Sequence, residues 1–156
     1  IVEAMTNNKN RTAAEIRSIF SKSGGNLGEN GSVSFSFKRL GAITLEKKFS
    51  SEENLFDFVV ENGSEDLESN EEEHIIYCDH SILHILNDTI ISRFGQTTSA
   101  ELIWKSDTTI ELQKDSAEKL FKLLNTLEDN DDVQGVSSNF EVSEEVMQEL
   151  TLQEGV

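Results

Sequence analysis

Between Ile43 and Trp104 the spacing of apolar residues changes repeatedly between the period of a strand and the period of a helix. The resulting order is strand, helix, strand, strand, helix, strand. A glycine closes each predicted helix, Gly63 the first and Gly95 the second. This is the element order of the ferredoxin-like split βαβ unit, in which two helices cover one face of an antiparallel sheet. The pattern therefore predicts a ferredoxin-like βαββαβ domain over residues 42–106.

A small number of apolar positions define these six elements. The polar second strand, over 65–72, has only one apolar residue and is expected at a sheet edge. The first helix begins with a capping-box spacing. In chain order, the defining residues are Ile43 and Leu45 for the first strand; Ser50, Glu53, Leu55, Phe56, Val59 and Val60 for the first helix; Leu67 for the second strand; Ile75, Ile76, Tyr77 and Cys78 for the third strand; Ile82, Leu83, Leu86, Ile90 and Phe94 for the second helix; and Ala100, Leu102 and Trp104 for the last strand.

The segment 1–41 predicts only a strand, a helix and a strand, too little to bury both faces of a sheet. A strand is predicted over residues 1–6. The helix has a capping-box spacing at Thr12 and Glu15 and ends at the Gly24–Gly25 pair. Residues 33–37 alternate apolar and polar side chains, as a half-buried strand does.

The chain after residue 106 supplies the missing elements. It predicts an extended piece over residues 110–112, a helix capped by Asp115 or Ser116, a strand over 133–136 and a last helix beginning at Ser143. We therefore expect residues 1–41 and 107–156 to form one outer α+β domain, into which the middle domain is inserted. Phe20 and Phe121 are expected to be buried in the core of this outer domain.

The net charge of −17 is distributed unevenly along the chain. The segment 1–39 contains six cations and three carboxylates, which gives +3, so the remainder of the chain carries −20. Because phosphate backbones attract Lys and Arg and repel carboxylates, any contact with nucleic acid is expected within this segment. The acidic remainder is typical of a solvated surface that keeps a protein soluble.

Other compositional features narrow the class of protein. The sequence has one cysteine, Cys78, so an intramolecular disulfide is excluded. A chain without disulfides is suited to a reducing cytoplasm. No apolar run is long enough to span a membrane, and no secretory signal opens the chain. Because the chain begins with Ile1 instead of Met, we expect a processed or truncated piece of a longer protein.

Three segments resemble one known family. They are NRTAAEIRSIFSKSGGNL at residues 10–27, GENGSVSFSF at 28–37 and LFKLLNTLEDNDDVQGVSSN at 120–139. Together they are similar to the YebC/PmpR family, and the segment 42–106 matches it in element order only. The resemblance implies that residues 1–41 and 107–156 are the second domain of the family and that 42–106 is the inserted third domain. It also implies that a basic helical first domain is missing here.

The resemblance implies a non-catalytic regulator of gene expression. Bacterial members of the family are DNA-binding transcriptional regulators of the cytoplasm. Other members are translation factors that act on the ribosome and mRNA. A third alternative is an acidic module that binds a basic protein. No cofactor and no membrane partner are expected, and binding of DNA or RNA is expected to need the missing first domain.

The candidate nucleic-acid contacts are the six cations of the segment 1–39. Arg11 and Lys22 are predicted opposite the apolar face of the first helix, and Arg17 on its flank. Lys9 and Arg11 stand beside the amino end of this helix, where free amides favour an anion. The full predicted set is Lys9, Arg11, Arg17, Lys22, Lys38 and Arg39. The alternative is that the cations of the helix form an ordinary solvated surface.

Two motifs could indicate a phosphate-binding loop and a metal site, and we reject both interpretations. The glycine-rich stretch 24–31 follows a helix, whereas a phosphate-binding loop precedes one, so a helix cap and a turn explain it. Cys78, Asp79, His80 and His84 have one spacing compatible with a metal, but there is no second cysteine, and both histidines are expected on an exposed helix face. No nucleophile motif is present, and we expect neither a catalytic nor a metal site.

Overall fold

The computed structural model describes residues 1–154, and their side chains as far as residue 152. The chain forms two compact units. The outer unit consists of Ile1–Lys38 and the chain from Ser106 onward, and the middle unit is Arg39–Lys105. The helices and strands, in chain order, are β1 (Val2–Ala4), α1 (Lys9–Lys22), β2 (Phe37–Glu46), α2 (Glu52–Glu61), β3 (Asp66–Ser69), β4 (Glu73–Asp79), α3 (Leu83–Arg93), β5 (Ser99–Ser106), β6 (Ile110–Glu111), α4 (Lys114–Glu128), β7 (Val133–Val136), β8 (Phe140–Glu141) and α5 (Glu144–Glu154).

The middle unit is built on a four-stranded sheet in the order β3-β4-β2-β5. β4 pairs antiparallel with both β2 and β3, and Ile43 lies opposite Ile76 in the first of these pairs. With helices after its first and third strands, the unit has the order and connectivity of a ferredoxin-like sheet. The α+β class and the βαββαβ arrangement predicted from the sequence are confirmed.

The core of the middle unit lies between the sheet and its two helices. Side chains that alternate along β2 and β4 face the helices, which places them in one apolar layer. Fully or nearly fully buried members are Ile43, Leu45, Ile76 and Cys78 from the strands and Leu55, Val59, Leu83, Leu86 and Ile90 from the helical segments.

The position of Gly41 in β2 requires a residue without a side chain, because α3 lies close to the strand there. A Cβ atom at this position would lie 2.8 Å from Cδ1 of Leu83 and 2.9 Å from Sγ of Cys78. Carbon atoms do not approach so closely without displacing a neighbour. The glycine therefore allows α3 to pack directly against the sheet.

The outer unit is closed by strands from opposite ends of the chain. β1 pairs antiparallel with β7, with Val2 opposite Val136. β6 pairs parallel with β8, with Ile110 opposite Phe140. Ile16 of α1 and Leu127 of α4 are buried. An apolar cleft of about 290 Å³ lies in this unit; its lining includes Phe20, Val33, Phe37, Leu120 and Leu124.

The prediction of a strand over residues 33–37 is wrong. Ser34–Ser36 form a 3-10 turn, and β2 begins only at Phe37 and continues without interruption to Glu46. Phe35, placed on the buried face by the alternation, is 86% exposed. The predicted boundary between the two domains, after Gly41, lies within this continuous strand.

Three helix starts also differ from prediction. α1 is capped by Asn8, whose side chain accepts a hydrogen bond from the amide of Arg11, and Thr12 is buried inside the helix. α2 is capped by Ser51 instead of Ser50. α4 begins after Gln113 without a side-chain cap, upstream of Asp115. In each case more than one short polar residue precedes the apolar stripe, and spacing alone does not choose between them.

The burial of several aromatic and aliphatic residues is less complete than expected. Phe20 and Phe121 are half-buried instead of buried. In α2, Phe56 and Val60 are about half exposed, whereas Leu55 and Val59 are fully buried. The strand β8 was not anticipated, because its two residues are too few to show a period.

Candidate nucleic-acid interface

α1 carries four of the six predicted contact residues, and all four side chains are exposed. They are Lys9, Arg11, Arg17 and Lys22. A helix advances about 100° per residue, so Arg17 lies about 100° to one side of the buried Ile16, while Arg11 and Lys22 lie about 120–140° to the other side. The predicted cations of α1 are therefore divided between two flanks of the helix.

Arg11 differs from the other cations of α1 because it contacts carboxylates. Its Nη2 atom donates to Oδ2 of Asp132 at 3.2 Å, and its Nε atom lies 3.9 Å from Oε1 of Glu15. A guanidinium close to two carboxylates presents less positive charge to a phosphate than an unpaired one does. Of the four cations on α1, Arg11 is the least suited to a backbone contact.

The amino end of α1 is also occupied by the protein itself. Oδ1 of Asn8 accepts a hydrogen bond of 3.1 Å from the amide of Arg11. The backbone carbonyl of Asn8 accepts a hydrogen bond from the amide of Thr12. Because the Asn8 side chain satisfies one of the helix's free amides, the site is less open to an external anion than we expected.

Lys38 and Arg39 are adjacent in β2 but belong to different units. Nζ of Lys38 lies 4.0 Å from Oδ2 of Asp107, and both side chains are mostly exposed. The guanidinium of Arg39 lies 5.1 Å from the centre of the Trp104 ring, a cation–π contact. Lys38 thus belongs with the exposed cations, and Arg39 with the packing of the middle unit.

The two most distinctive segments of the outer unit meet at Asp132. The Thr12 hydroxyl donates to Oδ2 of Asp132 at 2.7 Å, and Nδ2 of Asn130 donates to Oε2 of Glu15 at 3.0 Å. The hydrogen bond from Thr12, aided by Arg11, lowers the pKa of Asp132. These contacts give the NRT and LEDNDD segments a structural role. The sequence alone does not predict this role, because the two segments are far apart in the chain.

The cysteine and two of the histidines of the middle unit belong to the metal-site motif rejected from the sequence. Burial raises the pKa of the Cys78 thiol to about 11, and Asp79 and Glu65 add to this effect. A thiol with such a pKa is a poor nucleophile near neutral pH. His80 and His84 are exposed. Among residues 1–152, no three His, Cys, Asp or Glu side chains are grouped so that they could hold a metal.

The buried histidine of the middle unit is His74, which is not among the residues predicted from the sequence. Its Nδ1 atom is 2.6 Å from the Ser69 hydroxyl, and its Nε2 atom is 2.8 Å from the carbonyl oxygen of Ser50. Both ring nitrogens therefore have protein partners, as a buried polar group requires. The alternation of β4 places His74 on the same face as Ile76 and Cys78, which was the available clue.

None of the helices within the described part of the chain is both long and apolar enough to cross a membrane.

A solved structure similar to this chain is that of a conserved hypothetical protein, Aq1575, from Aquifex aeolicus. The two are 42% identical with a TM-score of 0.85, over 94% of this chain and 61% of the other. The chain therefore spans less than two thirds of the length of that relative.

A family model also matches this chain over most of its sequence. Residues 1–140 match the model described as the TACO1/YebC second and third domain, a family of transcription-regulator type. The match includes the NRT segment, the glycine-rich stretch and the LEDNDD segment. The chain therefore belongs to the TACO1/YebC family, of which it contains the second and third domains.

Proposed function

We propose that this chain is part of a non-catalytic regulator of gene expression that binds DNA in the cytoplasm. The observation that carries the proposal is the family match over residues 1–140. That family is regulatory in type instead of catalytic, and the site chemistry agrees with this. The single thiol is buried with a raised pKa.

The charge distribution indicates where DNA would be contacted. Lys9, Arg17 and Lys22 are exposed on α1, and none of the ion pairs among the described residues involves them. Contacts from such residues are made to phosphates and carry no sequence information. We therefore assign these three residues, with Lys38, as the backbone contacts of the proposed complex.

The same charge distribution limits the affinity. The chain as a whole carries −17, and surface charges act over about 8 Å at physiological salt. Phosphates near α1 are attracted locally and repelled by the acidic remainder. We propose that this chain alone binds weakly, and that the longer relatives of the family bind through additional positive charge outside the region matched here.

A salt titration tests the proposal. Binding of fluorescent duplex DNA and of RNA of the same sequence is measured by anisotropy between about 50 and 200 mM salt. The variant Arg17→Ala/Lys22→Ala is compared with Lys119→Ala/Lys122→Ala, which removes two exposed lysines from α4. Loss of two phosphate contacts lowers the slope of log K against log salt by about 1.8. The α4 control is expected to keep the slope of the parent.

The outcomes separate three functions. Binding to DNA that weakens in the α1 variant supports the proposal. Binding to RNA alone replaces it with the ribosome- or mRNA-directed alternative. Failure of the parent chain to bind either polymer at about 50 mM salt, where phosphate contacts are strongest, would contradict the contacts assigned to this chain and favour a module that binds protein partners.

A further inference from the structure

Phe35 is the most exposed large apolar side chain among those that the structure describes. It is 86% exposed, whereas the exposed Phe56 of α2 is 48% exposed. Isolated exposed apolar residues are common, but a phenyl ring that is almost wholly in water gains nothing from folding. Phe35 is therefore a candidate for a contact that folding alone does not satisfy.

The backbone around Phe35 is a defined turn that points the ring outward. The amide of Ser34 donates to the carbonyl of Gly31 at 3.3 Å, and the Ser34 hydroxyl donates to the same oxygen at 2.9 Å. The amide of Ser36 donates to the carbonyl of Val33 at 3.1 Å. Gly31 has a φ of +75°, which favours glycine. These bonds fix the turn and reduce the entropy lost when the ring meets a ligand.

The neighbours of Phe35 point elsewhere. Val33 and Phe37 both line the apolar cleft of the outer unit, but Phe35 does not. In a regular strand all three side chains would lie on one face. The 3-10 turn over Ser34–Ser36 breaks that alternation. The turn therefore separates two residues that line this cleft from one that is presented to solvent.

The sequence segment that contains this turn has fewer carboxylates than the rest of the chain. From Arg17 to Lys38 the sequence has three cations and one carboxylate, Glu29, in a protein with 30 carboxylates. Lys38, three positions after Phe35, has a side chain that is 63% exposed. An exposed ring in a stretch of low acidity suits an anionic aromatic ligand better than a basic protein, which the acidic surfaces of the chain would attract.

We propose that Phe35 stacks on an unpaired base of single-stranded nucleic acid while the cations of the segment 17–38 contact its phosphates. This inference rests on the proposed nucleic-acid binding and deepens it. Proteins that bind single strands combine a positively charged path for the backbone with aromatic side chains on which bases stack. Bases inside a duplex are already stacked on one another, so the ring selects DNA or RNA with unpaired bases.

The test compares ring removal with ring retention. Phe35→Ala, Phe35→Trp and the control Phe56→Ala are titrated at about 50 mM salt against single-stranded DNA, single-stranded RNA and duplex DNA of one sequence. Phe35→Ala is expected to weaken binding to the single strands by on the order of tenfold, since stacking contributes independently of charge. The slope of log K against log salt stays that of the parent. Phe35→Trp retains affinity, and Phe56→Ala changes nothing.

Several results would overturn the assignment. If Phe35→Ala binds single strands as the parent does, while Arg17→Ala/Lys22→Ala weakens them, the stacking role is wrong and the proposed function stands. If the parent binds no polymer, both fail. Equal loss on duplex and single strands would also exclude base stacking. If light scattering shows that the parent self-associates and Phe35→Ala does not, the ring contacts a second copy of the chain instead.

Discussion

The hydroxyl of Thr12 donates a 2.7 Å hydrogen bond to Oδ2 of Asp132, joining α1 to the residue that immediately precedes β7. Thr12 is almost fully buried. The bond favours the charged form of Asp132 and is the largest cause of its lowered pKa. Replacing Thr12 by Val removes this donor while keeping the shape of the side chain.

Thr12→Val is expected to lower the free energy of unfolding in a pH-dependent way. A carboxyl whose folded pKa is below its unfolded value stabilises the protein above the unfolded pKa, near pH 4, and this contribution is lost as the pH falls through the folded pKa. The difference between parent and variant in urea melts should therefore be largest at neutral pH and smaller in acid, where only the contacts of the hydroxyl with Thr6 and Asn8 remain. The control is Thr126→Val, whose hydroxyl bonds a carbonyl within α4. A difference that stays constant with pH would contradict this account of Asp132.

Ile90→Ala and Ile85→Ala compare two positions of the same helix, α3. Ile90 is fully buried, whereas Ile85 is 71% exposed. We expect Ile90→Ala to cost about 2–5 kcal/mol, because it leaves a cavity in the core of the middle unit. Ile85→Ala should stay within about 0.5 kcal/mol of the parent. Similar costs at the two sites in urea melts would show that the phase of α3 is wrong.

Phe121 and Phe140 form an edge-to-face pair whose ring centres are 5.7 Å apart. Because Phe121 is only half-buried, we expect Phe121→Ala to cost about 2 kcal/mol, less than a fully buried Phe. A double-mutant cycle with Phe140→Ala should give a coupling of about 0.5–1.5 kcal/mol. The same cycle between Phe121 and Phe20 should be additive. Coupling absent from the first cycle would show that the two rings do not touch.

Cys78 reports on the folding of the middle unit. Burial raises the pKa of its thiol from an ordinary value of 9.0 to about 11, so the reactive thiolate is about a hundredfold rarer at pH 8. We expect no reaction with a thiol reagent such as Ellman's reagent in buffer, and rapid reaction once urea unfolds the unit. Ser92→Cys, which adds an exposed thiol on α3, should react at once. Prompt reaction of the parent would mean that the sheet opens around β4.

The sequence predicted most of the fold, because long elements repeat their period several times. The stripe through Leu83, Leu86 and Ile90 is such a case, and the family resemblance from the NRT and LEDNDD segments is confirmed. Prediction failed where a period was short. The alternation over 33–37 matched a strand, but Gly31 and the hydroxyl of Ser34 stabilise a turn instead.

The candidate site was less accessible from the sequence. Charge counting identified the segment 1–39, but it does not show that Asp132 lies beside Arg11, because that contact depends on the pairing of β1 with β7. The exposure of Phe35 was hidden for a related reason. Apolar residues in alternation are normally buried, and only the turn geometry reveals an exception. The assignment of Lys9, Arg17, Lys22 and Lys38 to phosphate contacts stays a prediction.

The pairing of β1 with β7 also determines the order in which the protein can form during synthesis. Val2 has no partner strand until Val136 has been made, so β1 stays unpaired until the whole middle unit has been synthesised. Arg39–Lys105 contains its own sheet and core and can fold during this interval. Closing β1 onto β7 across so long a separation is entropically costly, and a folded middle unit shortens the flexible chain that must be closed. We therefore expect the middle unit to form before β1 closes onto β7.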